Sequence, residues 1–151
     1  MSDFNVAEYD ADQIKVSIAG IAVAKGAGKS GYGDGEFLSF KKVNPSFKTV
    51  EGTDGSIARS KMNSRLVQIE LTLLQTSATN DRLTALWLSD ENSPNGQGIG
   101  SFVAQDLQGT TKLMCTKCWI SQPPDMSFDR TAKGRKWMLE GVWSVYTVGS
   151  N

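Results

Sequence analysis

The residues closest to a chemical motif are Cys115 and Cys118, which have the CxxC spacing of structural zinc sites and redox pairs. A structural zinc ion needs four ligands, and the chain has only these two cysteines and no histidine. A redox pair lies at a helix N-terminus, which lowers the thiol pKa. Here the pair lies in an apolar stretch that predicts a strand. Because side chains alternate along a strand, the spacing predicts sulfurs on opposite faces, as two free, packed thiols.

A second pattern, Gly28-Lys29-Ser30, matches the end of a phosphate-binding loop. The full pattern also requires a glycine at position 23, which is Val23, and a helix directly after the serine. Further glycines follow instead, and they make a helix start costly. The segment 25–35 therefore predicts a flexible hairpin loop without a nucleotide site.

Acidic residues offer little more. The pairs Asp125 with Asp129 and Asp10 with Asp12 lie at predicted turns or ends, where aspartate caps the backbone or faces water. The acidic cluster 90–95 matches no calcium-loop spacing. The absence of histidine removes the most common general base. We predict no catalytic residue, no metal site and no cofactor.

Composition sets further bounds. A chain of 151 residues is normally one domain, so we predict a single domain over 1–151. The formal net charge is zero, which argues against a broad nucleic-acid-binding surface. No apolar run approaches the roughly 20 residues that span a bilayer, and residues 1–12 lack the apolar core of a signal peptide. We therefore expect a protein made in the cytoplasm, with no membrane partner.

The segment 65–90 contains the clearest strand pattern and the clearest helix pattern. The odd positions from Val67 to Leu73 are apolar and the even positions between them are polar, which predicts a strand with one buried face. Ser77 or Thr79 is placed to cap a following helix. Leu83, Leu86 and Trp87 form its apolar stripe, and the breakers at 90–96 end it.

The rest of the chain predicts strands. They cover 14–18, 36–43, 99–107, 111–122 and 135–148, and Gly20 marks a turn or bulge with positive φ after the first. The last two strands are apolar on both faces, so a second sheet or another subunit must cover them. We predict a mainly β fold of two packed antiparallel sheets, a β-sandwich or barrel, with one flanking α-helix.

Two segments fall outside this pattern. Residues 44–63 form a long connection in which 53–56 predicts a tight turn between two short arms. The mixture of apolar and charged side chains suits a protruding hairpin that meets a partner. Residues 1–12 predict an N-terminal arm, in which Phe4, Val6 and Tyr9 are able to dock on a neighbour.

Four stretches of the chain are similar to one known family, and their order and spacing match it from about residue 12 onward. They are DGEF at 34–37, VEGTDG at 50–55 with RSK at 59–61, LTLLQTS at 71–77 with NDRL at 80–83, and WISQPPD at 119–125. The sequence resembles the tail tube proteins of contractile-tailed bacteriophages. The glycine-rich insertion 26–33 is longer than that family's pattern.

The resemblance implies two packed sheets with one helix, in a subunit without catalytic residues. Such subunits close into hexameric rings that stack into a hollow tube, through which DNA passes without specific binding. The implied partners are other copies of the chain, the tail sheath protein, the baseplate and the tape measure protein. The implied location is the virion, after assembly in the host cytoplasm. The long hairpin implies contacts between rings, and the residues carried over are Phe47, Lys48, Val50, Asp54 and Arg59, with Glu70 as a candidate for the lumen.

Three alternatives remain open from the sequence. The chain is also compatible with another ring component of the virion, such as a baseplate or head–tail connector protein. It is compatible with the tube of a phage-derived contractile injection particle. A different class of protein, a ligand-binding β-sandwich, would use Trp87, Trp119, Trp137 or Trp143 on an exposed face.

Overall fold

A computed structural model describes residues 14–23, 37–96 and 98–150. The predicted arm at 1–12 and the glycine-rich loop at 25–35 lie outside the described residues. The elements, in chain order, are β1 (Ile14–Ile18), β2 (Ile21–Val23), β3 (Leu38–Lys42), β4 (Phe47–Glu51), β5 (Ile57–Lys61), β6 (Leu66–Leu74), α1 (Thr79–Glu91), β7 (Gly100–Asp106), β8 (Lys112–Gln122) and β9 (Gly134–Thr147).

The described strands divide unequally between two antiparallel sheets. One sheet has seven strands in the order β2-β1-β7-β8-β9-β6-β3, and it curls around its own apolar inner face. The other has two strands, β4 and β5. The predicted fold class, mainly β with two antiparallel sheets and one helix, is confirmed.

Strand β6 lies between β3 and β9 and carries the clearest alternation. Val67, Ile69, Leu71 and Leu73 are fully buried, as the sequence pattern predicts. The even positions between them are only partly buried and face outward. Because residues paired across antiparallel strands share a face, β6 also sets which side chains of β3 and β9 point into the core.

Helix α1 packs against the inner face of the large sheet. Leu83 is fully buried, and Leu86 and Trp87 pack against the same core cluster. The residue at the N-cap position is Ala78, which has no side chain able to cap. Ser77 caps from one position earlier, because its hydroxyl accepts the Thr79 N–H at 3.3 Å.

Asn80, in the first turn of α1, ties the helix to two strands. Its side-chain amide donates to the carbonyls of Leu74 at 2.8 Å and Ser77 at 3.2 Å. Its oxygen accepts the indole N–H of Trp137 at 3.0 Å. Trp137 is buried on β9, so this bond satisfies a polar group that burial would otherwise leave unpaired.

The first hairpin turns at Ala19 and Gly20. Both have positive φ, 49° and 83°, which matches the twist of a two-residue hairpin loop and confirms the predicted conformation of Gly20. The turn packs closely on β7 at Gly100, where a Cβ would collide with Ala19. A glycine at position 100 is therefore required by this contact.

The prediction that the two cysteine sulfurs lie on opposite faces of the strand is wrong. Both Cys115 and Cys118 are buried in the core, with 2% and 1% of their surface exposed. The pairing of β8 with β9 shifts register at Thr116, so that Thr116 and Lys117 are both exposed between them. This β-bulge inserts one residue and returns Cys118 to the inner face. The predicted state, two free and packed thiols, is confirmed.

Candidate self-association surface

Strands β4 and β5 form a hairpin whose strands pair only with each other within the described sheets. Every residue of both strands is exposed. Val50 and Ile57 expose 56% and 70% of their surface. Apolar side chains left in water contribute no hydrophobic stabilisation to the hairpin. An exposed apolar hairpin is typical of a surface that binds another protein.

The hairpin turn is held by its own hydrogen bonds. The Gly52 N–H donates to the Ser56 carbonyl at 2.7 Å, and Gly55 has a φ of 86°, which favours glycine. The Asp54 carboxylate accepts the Ser56 hydroxyl at 2.6 Å and the Ser56 N–H at 3.0 Å. These bonds hold the pKa of Asp54 below its usual range. The tip therefore presents a fixed negative charge.

The five residues expected at ring contacts all lie on this hairpin, at three different places. Phe47 and Arg59 share one face, and the guanidinium lies 4.0 Å from the centre of the phenyl ring. Lys48 and Val50 alternate with Phe47 and lie on the other face. Asp54 is in the turn. The structure therefore gives each residue a position, whereas the function expected of it stays a prediction.

A cleft of about 340 Å³ lies where the hairpin meets the large sheet. Its wall includes the aromatic rings of Phe47 and Trp143 and the cations of Lys42, Lys61 and Arg65. The Arg65 guanidinium stacks over the Trp143 indole, 4.6 Å from the ring centre. None of the described residues that line this cleft is acidic. We call this feature the basal cleft.

The base of the hairpin is anchored by hydrogen bonds around the basal cleft. The Met62 N–H donates to the Ser46 carbonyl at 2.8 Å, which continues the pairing below β4 and β5. The Asn44 amide donates to the Ser64 hydroxyl at 2.9 Å, across the two chains that lead into the hairpin. These bonds fix the direction in which the hairpin leaves the large sheet.

Glu70, the candidate lumen residue, lies on the outer face of β6. It forms a salt bridge with Lys136 of the neighbouring strand at 3.2 Å, and about a third of its side chain is exposed (32%). Part of its charge is therefore balanced within the same subunit. Glu70 thus lies on the outer face of β6, and its role in a lumen stays a prediction.

Sequence reasoning missed an exposed apolar loop between β8 and β9. Met126 and Phe128 in this loop expose 85% and 80% of their surface. Arg135 holds the loop, because it donates to the carbonyls of Asp125 at 3.4 Å and Ser127 at 3.1 Å and lies 5.5 Å from the Phe128 ring centre. The sequence did offer a signal for this surface: two apolar residues stand in an otherwise polar loop that follows two prolines.

The features expected of a ligand-binding β-sandwich, a reactive thiol or a metal site are weak. Trp137 is buried, and Trp87, Trp119 and Trp143 are partly buried, so none of the four rings is fully exposed. Burial raises the pKa of Cys115 to about 11 and of Cys118 to about 12, which disfavours the reactive thiolate. No group of three or more potential metal ligands clusters within the described residues.

Within the described residues, no helix is long and apolar enough to cross a bilayer; α1 has 13 residues.

The fold and the surface together define a class: a mainly β protein whose described core lies on the large sheet and α1, and whose β4–β5 hairpin is exposed. Comparison with known proteins then gives the family. The chain matches the family described as Bacteriophage PhiTE tail tube protein over residues 6–145. It belongs to that family, and the resemblance to phage tail tube proteins is confirmed.

Two individual proteins agree with this assignment. Structural protein ORF10 of Pseudomonas phage KPP10 is 21% identical over 143 residues, which cover 95% of this chain and 83% of that protein. The cap that terminates the tube of the anti-feeding prophage has a similar fold, with a TM-score of 0.53 at 11% identity over 93% of this chain and 91% of that chain. The chain is thus a structural protein of the phage tail tube type and a virion component, and its family implies assembly with itself and with other tail components.

Proposed function

We propose that this protein is the subunit of a phage tail tube, and that it closes into hexameric rings which stack into a hollow conduit. The conduit delivers DNA through a contractile tail. The observation that carries the proposal is the fully exposed β4–β5 hairpin on a chain of the PhiTE tail tube family. The role is structural, and no catalytic step is required.

The hairpin is suited to join successive rings. Its strands gain no stability from the core of their own subunit, since none of their residues is buried. Val50 and Ile57 lie on opposite faces of the hairpin, and burying each of them against another subunit would contribute roughly 25 cal/mol per Å² of apolar surface removed from water. Phe47, Lys48, Asp54 and Arg59 would then set the orientation of the contact, because charged and aromatic groups give specificity at interfaces.

The charge of the chain fits a conduit. Its formal net charge is zero, so the tube would not hold DNA by excess basic charge. Glu70 on the outer face of β6 is the residue proposed to face the lumen. The tail sheath protein, the baseplate and the tape measure protein are the proposed partners outside and at the end of the tube.

Electron microscopy of the purified protein tests the proposal. We expect negative-stain images of hollow tubes built from six-fold rings. Replacing Glu51–Ser60 by two glycines should abolish stacking and leave the subunit folded, because the removed residues lie outside the core. A double substitution, Val50→Ser with Ile57→Ser, is the milder version and should shorten the tubes.

Two results would decide against the proposal. If the wild-type protein stays monomeric at high concentration, self-association is not its function. If it forms single rings that never stack, a ring component of a baseplate or head–tail connector becomes the better assignment. Circular dichroism and thermal unfolding of the hairpin variants provide the control, since a loss of folding would show that the hairpin supports the core.

A further inference from the structure

Charge is distributed unequally along the β4–β5 hairpin. The tip carries Glu51 and Asp54, and the segment 51–57 contains no basic residue. The base carries Lys42, Lys61 and Arg65, which line the basal cleft without an acidic neighbour among its described wall residues. The hairpin is thus acidic at one end and basic at the other.

The two ends cannot meet within one subunit. Strand β4 runs from Phe47, at the basal cleft, to Glu51, next to the turn, and these positions are separated by roughly 13 Å at about 3.3 Å per residue. The strands are paired over their whole length, from Phe47 with Lys61 to Glu51 with Ile57, so the tip cannot fold back. Contact between tip and cleft therefore requires a second copy of the chain.

We propose that the acidic tip of one subunit's hairpin docks in the basal cleft of a second copy of this chain. This inference rests on the proposed function, in which the hairpin joins successive rings, and it names the surface that receives the hairpin. Glu51 and Asp54 would face Lys42, Lys61 and Arg65. The same contact, repeated from copy to copy, is head-to-tail, and in a stack of rings it would propagate along the tube axis.

The direction of this contact has a consequence for assembly. A head-to-tail contact uses two different surfaces, so one end of a growing stack always offers free tips and the other end free clefts. Stacking along the tube axis would then continue without limit. The Asp54 carboxylate suits this role because hydrogen bonds from the Ser56 hydroxyl and N–H already fix its position.

A charge swap tests the contact. The tip variant is Glu51→Lys, which leaves the Asp54 hydrogen bonds of the turn intact. The cleft variant is Lys61→Glu, which leaves the Arg65–Trp143 stacking intact. Each should raise the critical concentration for tube formation at least tenfold in about 0.1 M salt. The chain that carries both changes should return to within threefold of the wild-type value, because the new cation at the tip would then meet the new carboxylate in the cleft of the next copy.

The control variant for the tip is Glu91→Lys, which makes the same change in net charge as Glu51→Lys, at the exposed C-terminal end of α1. It should assemble like the wild type. Raising the salt to about 1 M should raise the wild-type critical concentration, since the screening length falls to about 3 Å. Pelleting and negative-stain microscopy give the readout, and thermal unfolding shows that all variants are folded.

The outcomes separate this inference from the function on which it rests. If hairpin deletion abolishes stacking but the single charge reversals leave it unchanged, the hairpin docks elsewhere and the inference is overturned alone. The same follows if the swapped chain assembles as poorly as the single variants. If wild-type protein does not form tubes, both the proposed function and the inference are overturned.

Discussion

The β-bulge in β8 makes Gly141 of β9 a sensitive position. An added Cβ at Gly141 would lie 2.9 Å from the Lys117 carbonyl oxygen and 3.1 Å from the Cys115 sulfur. The first distance is too short, and the neighbour is backbone, which cannot move without disturbing the bulge. Extra atoms in a well-packed core cost typically about 1–3 kcal/mol. We expect Gly141→Ala to lower the free energy of unfolding by about that amount.

The measurement is urea unfolding followed by tryptophan fluorescence, together with thermal unfolding. At roughly 2–4 °C per kcal/mol for a chain of this size, the melting temperature should fall by about 2–12 °C. Gly134→Ala is the matched control on the same strand. Its added Cβ would approach the end of the Thr72 side chain at 2.7 Å, and that methyl group can rotate away. We expect the control to change stability by less than about 0.5 kcal/mol.

A second variant shows which contact is responsible. In the Gly141→Ala background, Cys115→Ala removes the sulfur but leaves the Lys117 carbonyl in place. The pair should therefore remain less stable than Cys115→Ala alone. If Gly141→Ala is as stable as the wild type, or if it costs no more than Gly134→Ala, the carbonyl is not where the bulge geometry places it.

Three further predictions use the same unfolding assays. Leu71→Ala should cost about 2–5 kcal/mol, because the side chain is fully buried, whereas Thr72→Ala on the outer face should cost less than about 1 kcal/mol; equal costs would contradict the strand's orientation. Ala19→Gly should raise stability by about 0.5 kcal/mol, since relief of the left-handed backbone at φ 49° outweighs the added chain entropy, and a loss would show that the Ala19 methyl contact matters more. Cys115 and Cys118 have pKa values raised to about 11 and about 12 from 9.0, so their contribution to stability should be constant below pH 9 and fall as the pH rises toward 11–12; a Cys118→Ala variant should lose less over that range, and an equal loss would assign the effect to other groups.

The sequence predicted the parts of the fold that depend on local periodicity. The alternation around Leu71 gave strand β6 and its buried face, and the stripe with Leu83 gave the helix. Both signals are local, because a period of two or 3.6 residues follows directly from the backbone geometry of one element. The turn at Gly20 was equally local, since positive φ favours glycine.

The parts that depend on pairing were not predictable. Simple alternation placed Cys118 on the wrong face, because a bulge shifts the in–out alternation of side chains by one residue. The only trace of the bulge in the sequence is the pair of adjacent polar residues Thr116 and Lys117. The division into seven and two strands and the bond from Asn80 to Trp137 depend on contacts between distant segments. For the candidate surface, the hairpin was visible in the sequence, but the basal cleft was not, because Lys42, Arg65 and Trp143 come from three separate elements or their flanks.

The separation of core and hairpin bears on how such a protein assembles. All of the buried apolar residues of the described chain lie on the seven-stranded sheet or on α1, and none lies on β4 or β5. We therefore expect the subunit to fold without the hairpin and the proposed assembly to leave the core undisturbed. Substitutions at Leu71 or Gly141 should accordingly lower the melting temperature of the isolated subunit, whereas Glu51→Lys or Lys61→Glu should change only the critical concentration for assembly. On the proposed assembly, the subunit would fold first as a monomer and join a growing structure afterwards, through surfaces that are already formed.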